Sequence, residues 1–140
     1  MAPDSLVVDA NIVVAALLKD STSRRLLLRA RKIKLYTPEF INEELSKYLG
    51  EFSKRLKVKE AELKLAIEQL ILASKMEVIP LHEYAEFISE AREITPDVKD
   101  AEYFALALKL GCPLWSQDSK LKKQSKVEVL STKELLEKIP

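Results

Sequence analysis

The feature that most constrains this chain is the alternation of two hydrophobic periodicities along its whole length. Short apolar runs rich in β-branched residues, such as Leu6-Val7-Val8 and Met76 to Ile79, are bounded by stretches whose apolar residues recur at helical spacing. Strands separated by helices predict an α/β fold with a central, mainly parallel sheet covered by helices on both faces, because parallel neighbours need long crossovers.

In detail, the spacing predicts a strand at Leu6-Val7-Val8 and a mostly buried helix from Ala10 to Leu18. Asp20 and Ser21 punctuate, and Thr22 to Arg31 is helical with Leu26, Leu27 and Ala30 inward. Lys34-Leu35-Tyr36 predicts a second strand. Thr37 is the candidate cap of a helix with Pro38 at its first position, running through Leu49 and ended by Gly50. Val58 to Ser74 reads as one long amphipathic helix carrying Ala61, Leu65 and Leu72. Met76 to Ile79 is a strand stopped by Pro80, and Glu83 to Glu93 is a further helix. Asp97 to Leu110 is a helix with Ala101, Phe104, Ala105 and Leu108 on one stripe, closed by Gly111. Leu114-Trp115-Ser116 and Val127 to Leu130 complete the strands, and Ser131-Thr132-Lys133-Glu134 matches a capping box for the last helix.

Composition removes several classes of function. At 140 residues the chain is expected to form a single domain over 1–140. No apolar run is long enough to span a bilayer, and the N-terminus lacks the regions of a signal peptide, so a cytoplasmic protein without membrane association is expected. One cysteine, Cys112, cannot form an internal disulfide and reads as a small buried residue. With two glycines there is no phosphate-cradling glycine loop. The single histidine, His82, stands apart from the acidic segments and reads as a helix-start residue, which disfavours a Ser-His-Asp triad. Net charge is only +1, so local clusters carry the information: Arg24, Arg25, Arg29, Arg31, Lys32 and Lys34 in one stretch, Lys120, Lys122, Lys123 and Lys126 in another. Of these, Lys120, Lys122 and Lys123 are the better candidates for a phosphate contact, because they follow Asp118.

The acids are sorted. Only six residues are Asp against sixteen Glu, yet four of the six lie in short segments that set a carboxylate beside apolar residues: Asp9 after Leu6-Val7-Val8, Asp97 and Asp100 at a helix start, and Asp118 after Leu114-Trp115-Ser116. Glu43 and Glu44 lie in a comparable segment, Ile41 to Leu45. Asp9 and Asp118 project from the carboxyl ends of parallel strands, where open parallel sheets bind their ligands. An acid cluster without basic partners is costly unless cations neutralise it. Hard oxygen donors with almost no His or Cys point to Mg²⁺ or Mn²⁺ rather than Zn²⁺.

The same residues resemble the motifs of PIN-domain nucleases of the single-domain prokaryotic, VapC toxin-like type. Val7 to Leu18, with Asp9 and Asn11 after an apolar strand, is similar to the family's opening motif. Leu114 to Leu121 is similar to its closing motif, with Ser116 two residues before Asp118. Pro38 to Leu45 and Asp97 to Leu108 resemble the segments bearing the second and third acids. The resemblance implies a three-layer α/β/α sandwich and a metal-dependent ribonuclease that cleaves RNA phosphodiester bonds by metal-activated water. It assigns Asp9, Glu44, Asp100 and Asp118 as metal-binding acids, Asp97 as an auxiliary ligand, Asn11 as orienting Asp9 or a water, and Ser116 as a hydrogen-bonding residue of the site. Glu44 is preferred to Glu43 on the Glu-Leu pairing, since adjacent helix positions point about 100° apart. Ala15 departs from the family by standing where many members have Ser or Thr. The resemblance further implies an RNA substrate, a homodimer and an antitoxin partner, with ribosomal RNA processing as another setting.

Plainer roles compete at each position. Asp97 and Asp100 near a helix start serve equally as caps, Asp118 as a turn residue, and Glu43 and Glu44 as a solvated helix face. Asp9 is hardest to explain locally. Two rival functions follow: an RNA- or protein-binding module of the same fold with little catalysis, and a phosphatase using Asp9 as nucleophile, which Asn11 disfavours.

Overall fold

A computed structural model describes residues 2–18, 20–29 and 32–139. Its elements run β1 (Ser5–Val8), α1 (Ala10–Leu18), α2 (Ser21–Arg29), β2 (Lys34–Pro38), α3 (Phe40–Leu56), α4 (Glu60–Ser74), β3 (Glu77–Ile79), α5 (Leu81–Tyr84), α6 (Ile88–Ile94), α7 (Ala101–Leu110), β4 (Leu114–Trp115), β5 (Val129–Leu130) and α8 (Thr132–Lys138). The five strands form one sheet in the order β3-β2-β1-β4-β5, and every pairing is parallel.

That order determines where the helices go. From β1 the chain steps outward to β2 and β3, then returns across β1 to β4. Right-handed crossovers place α1 to α4 on one face and α5 to α7 on the other. The packing agrees: α1 lies against α2, α3 and α4, while α7 lies against β1, β2 and β4. This is the expected three-layer α/β/α sandwich with β1 in the middle. Leu6, Val7 and Val8 are fully buried, as are Leu114 and Trp115 beside them. The reversal of direction falls between β1 and β4, where the chain leaves β1 into α1 and leaves β4 into a short turn towards β5, and a crevice opens at the carboxyl ends of these strands.

Several local expectations are corrected. Thr37 and Pro38 do not open a helix; they end β2, where Pro38 pairs with Ile79 and the Glu39 amide donates to the Ile79 carbonyl at 2.8 Å. Thr37 is buried, its hydroxyl donating to the Val8 carbonyl. Pairing with β3 outweighs the local capping signal. Gly50 does not terminate α3, which runs on to Leu56. The left-handed cap is Lys57 at φ 56°, its amide donating to the Ser53 carbonyl.

The next helix begins at Glu60 rather than Val58, and its stripe is phased differently. Leu63, Ile67 and Leu70 are buried, whereas Leu65 and Leu72 are 53% and 80% exposed. A helix apolar on two sides takes its phase from the neighbours it meets, here α1, α2 and α3.

The expected helix from Glu83 to Glu93 is two helices joined by a tight turn at Ala85–Phe87. There Tyr84 turns fully inward and donates to Glu102 at 2.6 Å. α2 opens at Ser21, one residue early, because Asp20 caps it, accepting from the Thr22 and Ser23 amides; Ala30 and Arg31, expected at its end, lie outside the described residues. Cys112 is half-buried rather than fully enclosed. Gly111 closes α7 at φ 64°, and the capping box at Ser131 and Glu134 forms in full. Among the described residues no helix is long and apolar enough to cross a membrane.

Candidate functional site

The crevice between β1 and β4 is a cleft of about 800 Å³. Asp9, Glu44, Asp97, Asp100 and Asp118 all line it, together with Asn11 and Ala15. Five acids drawn from four separate segments therefore face one space. Glu43 does not line it, so the choice between the adjacent Glu residues falls on Glu44.

Asp9 follows β1 directly and is only 4% exposed, since its backbone amide still pairs with the Trp115 carbonyl of the adjoining strand. Burial without a cationic partner pushes its carboxyl up to about 6, against the opposing effect of the Ser116 hydroxyl, with Glu44 and Asp118 adding repulsion. Ser116 is the hub. Its Oγ donates to Asp9 Oδ2 at 2.7 Å and accepts from Asn11 Nδ2 and from the Asp118 backbone amide, both at 3.1 Å. One donor and two lone pairs are thereby all used. The Asn11 amide also meets Asp9 Oδ1, and Asn11 Oδ1 accepts from the Gln117 amide. The two chain ends of the site are thus held to each other by a single hydroxyl and one carboxamide.

Glu44 reaches the cleft from the first turns of α3, where the phenol of Tyr103 donates to Glu44 Oε1 at 2.5 Å. Burial, followed by the charges of Glu44 and Asp9, raises the Tyr103 hydroxyl far above its ordinary range, so it stays a donor. Asp100 ends a tight turn before α7. Partial burial pushes its carboxyl up to about 7, and the charges of Asp9, Glu44, Asp97 and Asp118 push the same way. Asp97 and Asp118 stand at the rim and also act locally. Asp97 accepts from the Lys99 amide and Asp118 from the Lys120 amide, each capping a short turn. The cap reading of Asp97 and the turn reading of Asp118 are therefore correct as far as they go, and they coexist with a place in the cleft, whereas the Asp100 side chain caps nothing.

Hard oxygen donors surround this space, and no His or Cys does. That donor set suits a divalent ion of the Mg²⁺ or Mn²⁺ kind. Among the described residues no three such side chains are drawn closely enough together to hold an ion as they stand. Carboxylates that lack a countercharge repel one another, and a bound cation would relieve that repulsion.

Other residues of the site were not expected. Tyr103 is fully buried, and its signal in the sequence is a phenol three residues after Asp100, one helical turn on. Gln117 ties the loop after β4 to the far side of the fold: its Oε1 accepts from the Thr132 amide and its Nε2 reaches Asp20. Thr132 in turn meets Ser23 and the Trp115 indole. Among the described residues the cations lining the cleft are Lys47, Arg55 and Lys99, and the expected lysines after Asp118 do not line it. Lys122 instead pairs with Glu134 at the start of α8, and that contact and the Ser131 amide hold the Glu134 carboxyl down at about 2.

The PIN domain family's sequence profile matches residues 7–138, from the strand before Asp9 to the last helix. The chain belongs to the PIN domain family. Solved structures share this PIN fold at low identity. A VapBC2 structure from Rickettsia felis, bound to a DNA fragment of its promoter, superposes with a TM-score of 0.68 at 18% identity, covering 91% of this chain and 98% of that one. PAE2754 from Pyrobaculum aerophilum gives 0.66 at 20% identity, covering 96% and 88%. A toxin-antitoxin complex from Klebsiella pneumoniae gives 0.63 at 17% identity, covering 91% and 97%. No protein of curated function matches this PIN domain significantly in sequence.

Proposed function

We propose that this PIN domain is a Mg²⁺- or Mn²⁺-dependent endoribonuclease, acting in the cytoplasm as the toxin of a toxin-antitoxin pair. The observation that carries the reading is the convergence of Asp9, Glu44, Asp97, Asp100 and Asp118 on one cleft at the carboxyl ends of β1 and β4. Asp9, Glu44, Asp100 and Asp118 would hold the ion, with Asp97 as an auxiliary ligand. Such an ion, when bound, neutralises phosphate charge and lowers the pKa of water.

The chain's own residues supply orientation. Ser116 and Asn11 fix the Asp9 carboxylate and the Asp118 backbone in one frame, and Tyr103 presents Glu44. Hydrolysis in this setting leaves 5′-phosphate and 3′-hydroxyl ends. One structure of similar fold is described as a toxin-antitoxin complex, and another is of VapBC2 bound to its promoter DNA, which supports an antitoxin partner for this chain too. A two-fold homodimer belongs to the same reading.

The test is cleavage of end-labelled single-stranded RNA by purified protein with Mg²⁺ or Mn²⁺. Cleavage that needs the metal, stops with chelator and is lost in Asp9→Asn is the expected result. Cleavage that survives Asp9→Asn would overturn the site assignment.

A further inference from the structure

The acids occupy only one end of the cleft. Along α3 a single face presents Phe40, Glu44, Lys47 and Tyr48, Phe52 and then Arg55, at the spacing of one helical stripe, and all of them line the same space as Asp9 and Asp100. With a rise of about 1.5 Å per residue, Tyr48 stands roughly one turn beyond Glu44 and Arg55 about three turns beyond it. Tyr48 and Phe52 pack with ring centroids 5.7 Å apart and planes tilted by 44°. The Arg55 guanidinium lies over the Phe52 ring at 5.7 Å, and Lys47 Nζ over Phe40 at 6.0 Å. Tyr48 is 40% exposed, a large share for an aromatic side chain flanked by others.

Phe40 and Phe52 also pack against the core, but that packing does not account for the half-exposed Tyr48 phenol or for the two cations beside the rings. A helix face that only closed the core would not carry two cations and a half-exposed phenol. A surface built only for solvent would not stack aromatic rings. Aromatic faces edged by cations are the chemistry that holds unpaired nucleobases and their backbone: any base stacks on a ring, and Lys or Arg meets the phosphates. An apolar polypeptide would fill the rings but leave Lys47 and Arg55 without anionic partners, so charge complementarity favours the polyanion.

We propose that the Tyr48, Phe52 and Arg55 arm of the cleft is a single-strand-binding subsite, in which Tyr48 stacks an unpaired base and Lys47 and Arg55 engage the adjoining phosphates. This rests on the ribonuclease reading of the acid end and names what it selects: RNA whose bases near the scissile bond are unstacked. A duplex keeps its bases inside and offers Tyr48 nothing to stack on.

The test is binding, measured by fluorescence anisotropy in chelator so that no strand is cut. Wild type, Tyr48→Ala, Tyr48→Phe and Arg55→Ala are compared on three probes: a short single-stranded RNA, the same sequence as a duplex, and the same strand with abasic sites. Wild type should bind the single strand roughly tenfold or more tightly than the duplex or abasic probe, by the known strength of base stacking. Tyr48→Ala should lose that margin and Tyr48→Phe, which keeps the ring face, should retain it. Arg55→Ala should weaken binding and flatten its salt dependence. Equal affinity for the abasic and intact strands, or unchanged RNA binding in Tyr48→Ala, would assign the aromatics to a polypeptide partner and overturn the proposal while leaving RNA cleavage intact. Tyr48-dependent binding by a protein that cleaves no RNA would sustain the subsite and sink the nuclease reading. Failure to bind any RNA would overturn both.

Discussion

The phenol of Tyr103 donates to the carboxylate of Glu44 at 2.5 Å, joining α7 to α3 across 59 positions of sequence. The phase of α3 turns Glu44 rather than Glu43 into the cleft, and the contact fixes where its Oε1 sits. Tyr103→Phe keeps the packing, including the edge-on contact with Phe40. Because water can reach Glu44, stability should fall by no more than about 1 kcal/mol, while loss of a charge-assisted hydrogen bond should weaken Mn²⁺ binding about tenfold. Thermal melts and titration calorimetry check both. An unchanged metal affinity would reduce Tyr103 to a packing residue.

Ser116→Ala removes three hydrogen bonds at once, those to Asp9, Asn11 and the Asp118 amide. Ser116 is 1% exposed, so its partners Asp9 and the Asp118 amide are poorly placed to find water instead. The expected cost is about 1 to 3 kcal/mol of stability with a large loss of cleavage. Denaturant titration beside an RNA cleavage assay measures the two effects. Wild-type activity in the variant would contradict the hub role.

The buried acids give the metal-free protein an unusual pH dependence. Asp9 titrates at about 6 in the folded chain against 3.8 for an ordinary Asp, so the folded state holds the proton more tightly. Stability should therefore rise as pH falls from about 7 towards about 4, by up to on the order of 3 kcal/mol from Asp9. Asp100, pushed up to about 7, acts in the same direction. Melts in chelator near pH 5 and near pH 8 should show the higher melting temperature in acid. Added Mg²⁺ or Mn²⁺ should stabilise the protein more at the higher pH, where the carboxylates are already ionised. A protein most stable in chelator at pH 8 would argue against an uncompensated acid cluster.

Gly50 sits inside α3 without a positive φ, so its lack of a side chain serves no backbone need. A Cβ there would meet only Glu60 Oε1, at 3.2 Å, the far end of a flexible side chain. Gly50→Ala is expected to stabilise the fold by about 0.5 to 1 kcal/mol, through reduced freedom of the unfolded chain and better helix propensity. A raised denaturation midpoint at unchanged slope is the expected reading.

Much of this molecule is readable in one dimension. Leu6-Val7-Val8, β-branched and apolar, is the buried strand its composition suggests, Ala10 to Leu18 matches α1 residue for residue, and the capping box at Ser131 is a local device with a local outcome. Where two neighbours compete for a segment, local reading fails. Thr37 and Pro38 carry helix-start chemistry, yet the ladder to β3 claims them. α4 offers two apolar sides, and the bundle of α1, α2 and α3 selects Leu63, Ile67 and Leu70. Lys122 follows Asp118 in sequence, but Glu134 takes it.

The sequence by itself determined the order of strands and helices and the type of chemistry available. Periodicity is a property of consecutive residues, and a chain with six Asp, one His and one Cys has few ways to build a polar site. Only the tertiary structure decided that the acids share a cleft, that Glu44 rather than Glu43 faces it, and that Tyr103, Lys47, Tyr48 and Arg55 belong there. The acids lie in segments from 18 to more than 100 positions apart, and only the folded chain, with α3, α7 and the end of β4 brought round β1, puts these residues together.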